Sequence, residues 1–203
     1  MPARQKHGFV YEEMISERED SNLILAEEMQ SLDPSLEFPT GIYTSKYDLF
    51  NSKHPGVFYP FRPVQAKCIG EGNAIELGDI FRNSQKEEDF ELLVSFYDRI
   101  DPVTKVPNVT EEIRVLVDHL KWNEQFHFDH YDAMRAWIRG VSNCYSYDAK
   151  WKKEREFWKK RWGKGRLVTP TFKRDHKKQK RIQSNVTQTN FKPFIKAVAK
   201  KHL

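Results

Sequence analysis

Cysteine is scarce in this chain of 203 residues: only Cys68 and Cys144 are present, far apart and without a CxxC pair. That excludes a disulfide-dense scaffold and a cysteine-built zinc site, and it suits a reducing compartment. Long apolar runs are missing too. No stretch approaches the ~20 residues a membrane-crossing helix needs, and the first residues lack the apolar core and small-residue cleavage site of a secretory leader. Internal repeats and low-complexity tracts are likewise absent. The expectation is an intracellular, cytoplasmic protein with no membrane partner. Apolar residues make up 38% and mean hydropathy is −0.76, both on the low side, yet aromatics reach 13%. A chain so supplied with rings can bury a core and keep a polar surface.

Acidic residues are nearly absent from the last quarter. Residues 150–203 hold 19 Lys+Arg against 3 Asp+Glu, which leaves 15 against 26 for the first 149. A net charge of +5 therefore hides an acidic body and a strongly basic end. The basic end is densest over Phe172 to Gln183, where Lys and Arg crowd around the single Asp175. Such a cluster repels itself unless a polyanion relieves it, and it binds phosphates with an affinity that falls steeply with salt. Lys173, Arg174, Lys177, Lys178, Lys180 and Arg181 are the expected DNA contacts. Gln183, with Gln179 and Asn185, is of the residue type that reads base edges.

Hydrophobic pattern divides the rest of the chain. Residues 8–32 read as mostly helical, broken near Glu17 to Asn22 and closed by Asp33-Pro34. Asn51 to Gly56 is turn chemistry between strand-like segments, Val57-Phe58-Tyr59 and Val64 to Ile69. Ala74 to Asn83 reads as a loop or short helix. The nearly all-apolar Phe90 to Tyr97 reads as a central strand. A surface connection is expected over Asp101 to Asn108; Glu111 to Leu120 reads as a strand or a helix, with alternating β-branched residues favouring a strand through Ile113 to Val117. Residues 129–162 read as two helices around Gly140 to Ser146, the second spanning Asp148 to Trp162 and packed through Trp151, Trp158 and Trp162. His127 and His130 flank Asp129 but have no further cluster to complete a metal set, so they read as surface or packing histidines.

Between these elements lies one constellation with chemical content. Alternation along a strand points Gln65 and Lys67 to the same side and Ala66 to the other. With Asp48 beside them, an acid, an amide oxygen and an ammonium would converge. An Asp carboxylate and a second oxygen can hold Mg²⁺ against a phosphate, and the lysine can offset charge developing in the transition state.

At these residues the chain resembles the PD-(D/E)xK nuclease superfamily of type II restriction endonucleases, in its QxK variant. Lys6-His7-Gly8-Phe9-Val10-Tyr11-Glu12 is similar to the start of that family's first helix, which often carries a metal-site glutamate. The resemblance covers roughly the first half of the chain and implies Glu12, Asp48, Gln65 and Lys67 as catalytic residues, with Glu12, Asp48 and Gln65 holding the metal. Glu13, Glu27 and Glu28 are rivals to Glu12. Gln65 stands where the family usually has an acid, and a neutral amide oxygen is a poorer ligand than a carboxylate.

The resemblance implies an α/β fold with a restriction-endonuclease-like mixed central β-sheet flanked by helices. It places the catalytic core in residues 1–128, with a basic helical and extended DNA-binding subregion in 129–203. The expected function is Mg²⁺-dependent endodeoxyribonuclease activity on double-stranded DNA, by a homodimer matched to two-fold sites. The alternative is a non-catalytic nucleic-acid-binding protein.

Overall fold

Eleven residues from Phe90 to Ile100 include an apolar run that only a strand covered on both faces can bury, and that is the centre of the first sheet. In the computed structural model, which describes residues 10, 11, 14, 15, 63–141, 149–174 and 180–200, the chain falls into two units. One takes in Met1–Asn73, Glu88–His119 and Ala199–Leu203; the other takes in Ala74–Glu87 and Leu120–Val198. The chain is mixed α/β.

In the first unit, β1 (Val64–Gly70) runs parallel to β3 (Phe90–Ile100), and β3 pairs antiparallel with β4 (Pro107–Val117). The register sets Lys67 beside Val94 and Val94 beside Ile113. The turn from β3 to β4 is fixed by Asp101, whose Oδ1 accepts from the backbone of Val103 at 2.9 Å and of Thr104 at 2.7 Å. Helical backbone at Tyr11 and Ile15, one turn apart, buries both rows against Val64, Ala66 and Leu93.

The strand β4 starts at Pro107, six residues before the expected Ile113. Residues 108–112 are exposed and, Val109 apart, polar, so composition does not mark them as a strand. They pair with the far end of β3, and edge strands can keep polar residues toward water.

In the second unit, β2 (Ile75–Asp79), β6 (Lys180–Val186) and β5 (Val168–Arg174) form an antiparallel sheet in the order β2-β6-β5. Where Ala74 to Asn83 was expected to be loop or short helix, the structure has strand β2 followed by the single turn α1 (Ile80–Asn83). A register shift between Glu76 and Gly78, with Gly78 at φ +98°, breaks the alternation that would have announced the strand. Asp79 caps α1, accepting from Phe81 N at 3.0 Å and Arg82 N at 3.1 Å. The buried Asn83 donates to Leu77 O at 2.8 Å, Asp79 O at 3.1 Å and Ser184 Oγ at 3.2 Å, tying α1 to β6.

Four further helices follow: α2 (His119–Glu124), α3 (Tyr131–Val141), α4 (Ala149–Trp162) and α5 (Gln188–Val198). The expected pair around Gly140 is α3 and α4. Trp151, Trp158 and Trp162 are buried, Trp151 stacking on Trp137 with centroids 5.3 Å apart. Trp137 also donates from Nε1 to Glu154 at 2.9 Å and meets Phe172 of β5 at 5.9 Å. Trp162 donates to Val168 O at 2.7 Å. Among the described residues no helix is long and apolar enough to cross a membrane.

Candidate functional site

Strand alternation decides what β1 can do. Val64, Ala66 and Cys68 pack toward Tyr11, Ile15 and Leu93. Burial pushes the Cys68 thiol up to about 12, so it stays protonated and is no nucleophile near neutral pH. Gln65 and Lys67 project from the opposite side, beside Leu92 and Val94 of β3 in the parallel register. Gln65 is 6% exposed, Lys67 is half-buried, and Lys67 Nζ donates to Ala66 O at 2.8 Å. The two residues of the QxK motif thus share a face. Glu12 and Asp48, with the rivals Glu13, Glu27 and Glu28, lie outside the described residues.

The acid nearest to β1 in the register belongs to the other face. Glu91 is paired with Val64, is fully buried, and holds Arg114 Nη1 through Oε1 at 2.5 Å. Arg114 Nε reaches Glu112 at 3.1 Å, and Ser95 Oγ donates to Glu112 at 3.3 Å while also bonding the Tyr11 hydroxyl. In this row two carboxylates share the Arg114 guanidinium. On the Gln65 and Lys67 side, β3 offers only Leu92, Val94 and Phe96.

A second acidic group sits at the start of β3 and the end of β4. Asp89, Asp118 and His119 bring one potential ligand atom each within 4.8 Å of one another. Asp89 is already committed: Oδ1 accepts from His119 Nδ1 at 2.9 Å and from His119 N at 3.2 Å, and Oδ2 pairs with Lys200 Nζ. Burial works to raise this carboxyl, but the hydrogen bonds from His119 and Lys200 outweigh it and hold it down at about 2. Lys200 N also donates to Leu116 O at 2.9 Å, and Ala199 bridges Val117. The group clasps the C-terminal segment to β4.

The basic residues expected to meet DNA are distributed over two strands. Arg181 is exposed and lies opposite Lys173 in the β5–β6 register, and Arg174 lies opposite Lys180. Lys177 and Lys178 lie outside the described residues. Lys173 Nζ pairs with Glu76 Oε1 at 2.5 Å, and Gln183 Nε2 donates to Glu76 Oε2 at 2.7 Å. Gln183 is only 7% exposed, so its amide nitrogen is spent inside the protein rather than offered to a base edge. Asn185 Nδ2 is likewise spent, on Thr171 Oγ1 at 2.5 Å. Sequence reasoning missed Glu76 because its partners are 97 and 107 residues away and nothing local marks it.

The histidines expected at the surface or in packing are exposed and make ring contacts: His127 lies on the Tyr131 ring at 4.5 Å, and His130 meets Phe128. Compared with family models, with curated proteins and with solved structures, the chain shows no significant match to any of them.

Proposed function

We propose that the chain is a Mg²⁺-dependent endodeoxyribonuclease that cleaves double-stranded DNA in a sequence-specific manner, with a restriction-endonuclease-like sheet as its core. The observation that carries this reading is the placement of Gln65 and Lys67 on one face of β1, beside the fully buried Leu92 and Val94. Apolar neighbours weaken solvent screening, so an ammonium there acts more strongly on a phosphate than one in open water.

The donor chemistry fits Mg²⁺ in kind. Gln65 would lend a neutral amide oxygen, and Asp48 and Glu12 the carboxylate charge that a hard cation requires. When bound, the ion would polarise the phosphate and acidify a water. Lys67 Nζ would donate a hydrogen bond to a phosphate oxygen or to the attacking water. Gln65, being uncharged, would let an anionic phosphate approach without repulsion. The basic residues Lys173, Arg174, Lys177, Lys178, Lys180 and Arg181 would hold the backbone of the duplex. A homodimer would match a two-fold site.

A non-catalytic nucleic-acid-binding protein is the second reading, and one observation favours it: β3 contributes no acid to the face of Gln65 and Lys67. Incubation with long unmethylated duplex DNA, with and without Mg²⁺, separates the two. Discrete fragments that need Mg²⁺ and vanish in Lys67→Ala, with binding retained, are the expected result. Intact DNA with a salt-sensitive mobility shift would give the binding protein.

A further inference from the structure

Three elements of the second unit bring arginines to one cavity of about 330 Å³: Arg82 from α1, Arg135 and Arg139 from α3, and Arg181 from β6. Arg135 and Arg139 are four apart, which puts them on one helix face. The cavity's single carboxylate is Asp79, and its Oδ1 already accepts from the backbone of Phe81 and Arg82. Gln85 orients one guanidinium: with its amide oxygen turned inward it accepts from both Nη1 and Nη2 of Arg135 at 3.0 Å. Arg135 Nε is buried without a partner among the described residues.

Four guanidiniums against one carboxylate give the cavity lining an excess of positive charge, and like charges held this close repel one another. The planar fork of arginine matches the oxygens of a phosphate two at a time. The volume exceeds by roughly tenfold the ~30 Å³ that a water occupies, enough for a phosphate and part of its hydration. Arg181 also joins the cavity to the basic strand pair, since it stands opposite Lys173.

We infer that this cavity is a phosphate-binding site that takes one phosphate of a nucleic-acid strand. It goes beyond the cleavage reading, because a strand phosphate is held there whether or not the chain cuts DNA. The source is an internal phosphodiester or a 5′-terminal phosphate; the recognising chemistry is the same.

The test uses full-length protein and a short fluorescein-labelled duplex, followed by anisotropy across a salt series with chelator present so that no cleavage intervenes. Arg82→Gln/Arg139→Gln is expected to weaken binding roughly tenfold or more and to flatten the logarithmic salt slope by about 1 or more. Arg99→Gln, at an exposed position outside the cavity, is expected to change neither. Equal losses on 5′-hydroxyl and 5′-phosphorylated duplexes identify an internal phosphodiester, and a loss confined to the phosphorylated one identifies a strand end. A double variant that melts like the parent and keeps its affinity and slope overturns the site. A measurement on the unaltered chain guards against misfolding: phenylglyoxal modification mapped by mass spectrometry should show Arg82, Arg135, Arg139 and Arg181 protected by the duplex. Equal reaction rates with and without DNA would overturn the proposal as well.

Discussion

The two three-stranded sheets place their charges in opposite ways. In the first, β1-β3-β4, the ion pair of Glu91 and Arg114 is buried, with side chains 0% and 6% exposed. In the second, β2-β6-β5, the pair of Glu76 and Lys173 has side chains 49% and 32% exposed. Both pairs have N···O distances of 2.5 Å, yet the first is dry and the second is screened. Equal geometry therefore does not mean equal energy. A buried pair costs desolvation and makes each partner depend on the other, whereas an exposed pair can be broken with little loss. In the first sheet the buried pair cannot be altered singly. The second leaves Lys173 and Arg181 where an external anion can compete for them.

Removing Lys67 tests the comparison where the effect should be largest. Lys67→Ala is expected to lower the rate of DNA cleavage by roughly 10²–10⁴-fold with little change in affinity. Lys173→Ala should do the reverse, weakening binding and reducing the salt slope by about 1 while sparing the rate per bound complex. Single-turnover kinetics beside anisotropy separates these outcomes.

Next comes the dry pair. Glu91→Ala takes the buried carboxylate from Arg114 Nη1, leaving Glu112 on Nε, and should cost about 3–5 kcal/mol in urea unfolding. The double change Glu91→Met/Arg114→Leu should recover most of that loss. Glu76→Ala, by contrast, should cost about 0–1 kcal/mol. Equal losses at the two glutamates would erase the distinction between the sheets.

Within the second unit, Asn83→Ala removes the donor that serves Leu77 O, Asp79 O and Ser184 Oγ. The loss should be about 1–3 kcal/mol, measurable as a lower melting temperature, and should exceed that at Glu76.

Acid should act on the first unit through Asp89. Its folded carboxyl is held at about 2, below the ordinary 3.8, so the folded state binds its proton less readily than the unfolded chain. The stabilisation is fully present above about pH 4 and is lost as pH falls through the folded value of about 2. It should amount to about 1 kcal/mol, discounted for the water around Lys200. The difference in melting temperature between the parent and Asp89→Asn should close over that window; a constant difference would remove Asp89 from the account.

The smallest expected effect is a gain. Glu76→Gln keeps a hydrogen-bond acceptor for Lys173 but deletes the competing negative charge, so duplex affinity should rise a few-fold at low salt and converge with the parent at high salt.

Local periodicity made several elements legible. The apolar run from Phe90 announced a central strand, the spacing of Trp151, Trp158 and Trp162 announced a packed helix, and strand alternation placed Gln65 with Lys67. Where the pattern is broken by backbone geometry, legibility ends: Gly78 hides β2, and solvent exposure hides the first half of β4. Contacts made across the chain leave no sequence trace. Glu76 meets Lys173 and Gln183, and Arg82 meets Arg139 and Arg181 at one cavity, only because separate strands and helices converge. The basic stretch around Lys180 reads only as a run of DNA contacts because its charge masks the alternation of Ile182, Ser184 and Val186, which makes it the central strand of a sheet.

The clasp of Ala199 and Lys200 onto β4 gives the chain the topology of an insertion. Residues 116 and 200 are joined by a backbone hydrogen bond, so the long excursion between them is a closed loop whose two ends lie at the edge of one strand. Closing such a loop has an entropic cost that grows only slowly with its length. A few contacts at its neck can therefore hold it. Cutting the chain just before Ala199 would open the ring without touching either sheet, and Val117 would lose its bridge to Ala199 while keeping its pairing with Phe90, the excursion becoming a free-ended appendage.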